Sequence, residues 1–69
     1  MVSKKEIKSL DFSTIEEYYY YILESYINGQ RQQAKSLFLK CSKDQKKEFL
    51  FNQGFELKPE TKEFFINLL

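Results

Sequence analysis

Between Ser13 and Ile27 the apolar positions recur with a helical period. Ile15, Tyr18, Tyr19, Ile22 and Tyr26 stand at the i, i+3, i+4, i+7 spacing that puts side chains on one face of an α-helix. They form a core stripe, so Tyr18 and Tyr19 are expected to be buried. Tyr20, Leu23 and Ile27 widen the apolar arc beyond what a single neighbouring helix covers, while Tyr21 falls toward the acidic side with Glu17 and Glu24. The placement of Tyr20 and Tyr21 therefore decides whether this helix is satisfied within its own chain.

The flanking residues set its limits. Ser13 and Glu16 fit a capping box, with Asp11 as a rival cap that would let Leu10 and Ile15 form a hydrophobic staple. Asn28-Gly29 supplies residues that tolerate the left-handed conformation of a helix C-terminus. A second helix follows at once, with Ala34, Leu37, Phe38 and Cys41 on one face, and so short a connection predicts an antiparallel pair. Ser42 and Gln45 form another capping box, opening a third helix that ends at Gly54. There Leu50 and Phe55 are placed to touch in a Schellman closure. Phe49, Leu50 and Phe51 are consecutive, so two enter the core and one stays at its margin. Pro59 suits the first position of a fourth helix, with Glu60 and Glu63 in its opening turns. Ahead of all this, residues 1–10 are polar and basic. Ser3 and Glu6 offer a capping pattern for a short leading helix, with a frayed leader as the alternative.

The fold expected is all-α: a small bundle of three main helices, at about 13–28, 30–41 and 43–53, plus a short C-terminal fourth at 59–68. Residues 1–10 are a leader and 11–69 a single helical domain. The expected core is Ile15, Tyr19, Ile22, Tyr26, Ala34, Leu37, Phe38, Cys41, Leu50, Phe55, Phe64 and Leu68. Gly29, Ala34, Phe38 and Cys41 stand at the offsets where a tetratricopeptide-type repeat places its turn glycine and the small, aromatic and small residues of its second helix. Ile22 and Ser25 depart from that pattern, and the period has no second copy. The resemblance implies αα-hairpin geometry and carries no peptide-binding function.

Length and composition narrow the physics. A 69-residue chain buries only about 60% of the surface its unfolded form exposes. With one cysteine and no histidine, neither an intrachain disulfide nor a zinc site is expected to stabilise it. Packing and association remain. Phe, Tyr, Met, Ile, Asn and Lys make up 31 residues against five for Gly, Ala, Arg and Pro, the skew of an AT-rich genome. It points to an AT-rich bacterium or one of its phages or mobile elements. The net charge of +1 hides an uneven distribution: +2 over residues 1–10, −4 over 11–27, +4 over 28–58 and −1 over 59–69. No stretch reaches the ~18 apolar residues of a membrane span, no signal-peptide core is present, and a cytoplasmic setting is expected.

Candidate chemistry is sparse. There is no histidine, no glycine-rich phosphate loop and no acid pair in a recognisable environment. Cys41 falls on the core face of the second helix. The chain is therefore expected not to be an enzyme, with no cofactor, metal, catalytic residue or small-molecule substrate. An acidic polar face on the first main helix argues against membrane binding. The function expected is a non-enzymatic protein-binding module that sterically occupies a protein partner or self-associates as a homodimer, such as a phage or mobile-element accessory or inhibitor protein. The interface candidates are Tyr20, Tyr21, Phe65, Ile66 and Leu69. The alternative is a small nucleic-acid-binding regulator using Arg31, Lys35, Lys40, Lys43, Lys46 and Lys47.

Overall fold

The computed structural model describes residues 1–53 and 57–69. Five helices and no strand occur among the described residues: α1 (Lys4–Ser9), α2 (Ile15–Ile27), α3 (Arg31–Leu39), α4 (Lys43–Gln53) and α5 (Pro59–Ile66). The all-α expectation holds, and each expected helix is present within a few residues of its expected limits. The expected closure at Gly54, the packing of Phe55 against Leu50 and the link through Glu56 lie outside the described residues.

The leader is a helix. Ser3 caps α1 by accepting the Glu6 N–H on its Oγ at 3.3 Å. The helix closes with a Schellman pair, the Phe12 N–H donating to the Ile7 carbonyl and the Asp11 N–H to the Lys8 carbonyl, both at 3.0 Å. That closure puts Asp11 in the left-handed region at φ 63°, which Asp tolerates better than most residues.

Because Asp11 is committed to ending α1, it does not cap α2, and neither does Ser13. The cap is Thr14, whose Oγ1 accepts the Glu17 N–H at 3.4 Å, while the Glu17 carboxylate accepts the Ser13 N–H at 3.2 Å. The expected box is thus shifted by one residue. Leu10 and Ile15 no longer occupy staple positions, and Leu10 is exposed. At the other end of α2, the Gln30 N–H donates to the Ser25 carbonyl at 2.8 Å and the Gly29 N–H to the Tyr26 carbonyl at 3.1 Å. Gly29 has φ 84°, so a side chain there would be strained even though the space around it is open.

Helix α3 packs closely on α2 through Ala34, whose small side chain lets the two backbones approach, and Phe38. Gln45 does three things at the start of α4. Its N–H donates to Ser42 Oγ (3.1 Å), its Oε1 accepts the Ser42 N–H (2.9 Å), and its carboxamide pairs with both backbone groups of Val2 (3.0 and 2.8 Å). The expected capping box is therefore present, and it also ties the leader to α4. Val2 and Ile7 join the core formed by α2–α5, so residues 1–10 belong to the same packed unit as the rest.

The centre of the core is aromatic. Phe38 of α3, Phe49 of α4 and Phe65 of α5 form a triangle with ring centroids 5.5, 5.1 and 5.0 Å apart. Helix α2 adds Tyr19 against Phe49 and Tyr26 against Phe64 and Phe65. Of the expected core, Tyr19, Ile22, Ala34, Phe38 and Cys41 are fully buried. Ile15, Tyr26, Leu37, Leu50, Phe64 and Leu68 pack partly buried around them. Val2, Ile7, Leu23, Phe49 and Phe65 are buried in addition. Of the consecutive trio, Phe49 is buried, Leu50 is half-buried and Phe51 is 75% exposed.

Truncating one ring of the triangle, as in Phe65→Ala, is expected to cost about 3–5 kcal/mol. The whole stability of a chain this size is about 3–10 kcal/mol, so urea titration should find the variant's midpoint strongly lowered, whereas Phe51→Ala should shift stability by less than ~0.5 kcal/mol. Gln45→Ala should raise hydrogen exchange in α1 while protection in α2 and α3 persists. Uniform loss of protection would mean that the leader is not a separately tied element.

Candidate interaction surface

Four consecutive tyrosines on one helix leave it in four directions, and the structure uses each differently. Tyr18 is buried and its hydroxyl donates to the Leu37 carbonyl at 2.8 Å, pinning α2 to α3. Tyr19 is buried with its hydroxyl donating to Glu48 Oε1 at 3.0 Å. Tyr21 is half-buried, with its ring edge-on to Phe12 at 5.6 Å and its hydroxyl accepting from Gln33 Nε2 at 3.0 Å. Gln33 Nε2 also donates to buried Ser25 Oγ at 3.0 Å, so one carboxamide satisfies two groups of α2. Tyr20 remains 59% exposed.

Burial holds the Tyr18 phenol well above its ordinary range, with smaller contributions from Cys41, Glu6 and Tyr21. Burial also raises that of Tyr19, helped by its hydrogen bond to the Glu48 carboxylate and the charge on it. The Cys41 thiol is pushed up to about 11 by burial, against a weaker opposing pull from Lys46 and the N-terminal amine. Its Sγ lies 3.8 Å from the Leu37 carbonyl. A thiolate is disfavoured in that setting.

Tyr20 stands between two hollows. One, of about 330 Å³, is lined by Phe12, Tyr20 and Tyr21 together with Glu16, Glu17 and Glu24. The other is an open groove of about 1000 Å³ between α2 and α5. Leu23, Tyr26 and Phe64 give it an apolar lining, with Tyr20 and Ile27 on the α2 side and Glu60 and Glu63 on the α5 side. Ile27 is 71% exposed. Arg31 sits at the groove with its Cζ 5.1 Å from the Tyr26 ring centroid, a cation–π placement.

No family model, curated protein or solved structure matches the chain.

Among the interface candidates, Tyr20 lines both hollows and Tyr21 the smaller one. Ile66 and Leu69 are exposed but line neither. Phe65 is a correction. It is fully buried as one corner of the aromatic triangle and offers no surface to a partner, because α5 turns it, rather than Ile66, toward α3 and α4. Ile27 and Leu23 were legible as part of the wide apolar arc. Their grouping with Phe64 was not, since it depends on how α5 lies against α2.

The basic candidates divide as well. Arg31 belongs to the α2–α5 groove, and half-buried Lys46 has its Nζ 5.8 Å from the Phe38 ring centroid. Lys35, Lys40, Lys43 and Lys47 are exposed. No helix among the described residues is long and apolar enough to cross a membrane.

Tyr18, Tyr19 and Cys41 hold their protons more tightly folded than unfolded. The unfolded chain therefore releases protons first as pH rises, and their contribution, complete at neutral pH, is lost on the alkaline side. Stability should begin to fall near the ordinary thiol value of 9.0 and steepen past the ordinary phenol value of 10.0. Each group adds a slope of up to about 1.4 kcal/mol per pH unit. Urea midpoints between neutral and strongly alkaline pH check this, and Tyr19→Phe should flatten the steeper part. A constant midpoint throughout would contradict the burial of these groups.

Proposed function

We propose that the chain is a non-enzymatic protein-binding module that acts by occupying the surface of a protein partner through exposed Tyr20 and Ile27, which flank buried Leu23 on α2. The observation that carries this reading is the exposure of Tyr20 and Ile27 on the helix whose opposite face supplies the core, beside an open groove with an apolar lining. Tyrosine suits such a surface, since its ring gives contact area and its hydroxyl stays wet in the free protein. The buried, proton-retaining Cys41 supports the absence of thiol chemistry. The residue skew of an AT-rich genome supports a phage or mobile-element accessory protein.

Nucleic-acid binding is the competing reading, and exposed Lys35, Lys40, Lys43 and Lys47 speak for it. Against it, Arg31 and Lys46 are placed over rings of the chain's own aromatic residues.

The test is a capture experiment from the native host with two baits, the wild-type chain and Tyr20→Ala/Ile27→Ala. Both substitutions are on exposed side chains and should leave the helical circular dichroism unchanged. A protein retained by the first bait and lost from the second is the expected result. Retention of the chain on DNA or RNA, with a steep salt dependence that Lys43→Glu/Lys46→Glu/Lys47→Glu abolishes, would displace this reading in favour of nucleic acid.

A further inference from the structure

We infer that the groove between α2 and α5 receives an amphipathic α-helix of the partner, one that carries apolar residues at i, i+3 or i+4, and i+7 and lysine or arginine beside them. This rests on the protein-binding reading above and names the chemistry of the segment that is bound.

Three features lead to it. The first is shape. Tyr20, Leu23 and Ile27 lie along two turns of α2, about 10 Å at 1.5 Å per residue, and face Phe64 of α5 across the groove. A ridge of two helical turns fits a groove between two helices, and its anchors repeat at the same interval as those of α2. The second is the backbone. No strand edge exists among the described residues to pair with an extended segment, and a helix, which satisfies its own peptide groups, needs none.

The third is charge. Glu16, Glu17 and Glu24 border the Tyr20 end, and Glu60 and Glu63 border the α5 side. Within the groove Glu60 and Glu63 are matched by Arg31 and Lys58, with the Arg31 guanidinium over the Tyr26 ring, so the excess negative charge lies at the Tyr20 end, where no lysine or arginine lines the smaller hollow. That end of the strip is acidic on a chain whose net charge is +1. It repels phosphates and anionic headgroups and attracts lysine and arginine. A second copy could present comparable chemistry, because α4 carries 75% exposed Phe51 with Lys43 and Lys47 on its exposed surface. The experiment has to separate that occupant from a different protein.

The probe is a synthetic dye-labelled helix with leucine at i, i+3, i+4 and i+7 and lysine on its flanks, compared with the same helix carrying glutamate in place of lysine. Fluorescence anisotropy should show the lysine peptide binding at least about tenfold more tightly than the glutamate peptide, and weakening as salt rises. Tyr20→Ala/Ile27→Ala should cost at least about tenfold in affinity, roughly 1.4 kcal/mol. Glu60→Gln/Glu63→Gln should weaken binding measurably, and Lys43→Glu/Lys47→Glu should leave it unchanged. Amide shifts on binding should centre on Tyr20, Leu23, Ile27 and Phe64. Equal affinity for the two peptides, no binding of either, or shifts centred on α3 and α4 would overturn the inference. So would concentration-dependent sedimentation of the chain alone that Lys43→Glu/Lys47→Glu abolishes, since the occupant would then be a second copy. If the capture experiment yields a partner that depends on Tyr20 and Ile27 while the lysine peptide fails to bind, the helix inference falls and the protein-binding reading stands.

Discussion

Three phenylalanine rings, one from each of α3, α4 and α5, meet edge to face or tilted within 5.5 Å of one another, and the rest of the molecule is arranged around that meeting. A chain of 69 residues with a single cysteine has no cross-link to limit its unfolded state. What holds it is the burial of large side chains, each aromatic pair adding about 0.5–1.5 kcal/mol beyond its area. Because every ring in the triangle comes from a different helix, no pair of helices is complete alone. Helix α2 joins through Tyr19 and Tyr26, and α1 adds Val2 and Ile7 to the same cluster.

The inward demand of that cluster explains how the tyrosine run is divided. Tyr18 and Tyr19 are drawn in, and each hydroxyl finds an acceptor at the core's edge, Leu37 or Glu48. Tyr21 is half covered by Phe12 and held by Gln33. Successive helical positions are about 100° apart, so satisfying Tyr18 and Tyr19 turns Tyr20 outward. Ile27, two turns on, follows it. The exposed strip is thus the geometric remainder of core packing, and it coincides with the acidic stretch of the sequence. Apolar contact area and charge complementarity are therefore available at one place, which is what a selective protein contact requires.

Much of the fold was legible because local chemistry marks helix ends. Asn28-Gly29, Ser42 with Gln45, and Pro59 each satisfy or remove specific backbone groups, and the helices end or begin there. The start of α2 was placed one residue early because Ser13 with Glu16 and Thr14 with Glu17 fit the same capping pattern, while the rival cap Asp11 had a second local role. The closure of α1 claimed it, and the cap moved to Thr14. Among Phe64, Phe65 and Ile66, or Phe49, Leu50 and Phe51, periodicity cannot choose which residue points inward, since all are apolar. The choice is made by how each helix lies against its neighbours, and this is why Phe65 stood among the interface candidates. The pairing of Gln45 with Val2 was equally hidden, for it joins residues 43 positions apart.

The central claim is that core packing takes Tyr18 and Tyr19 and leaves Tyr20 free. Limited nitration of the native protein at neutral pH, with the modified residues located by mass spectrometry, tests it directly. Tyr20 should react first and Tyr18 and Tyr19 only after unfolding. Reaction of Tyr18 or Tyr19 at the rate of Tyr20 would contradict the account of both the core and the surface it leaves exposed.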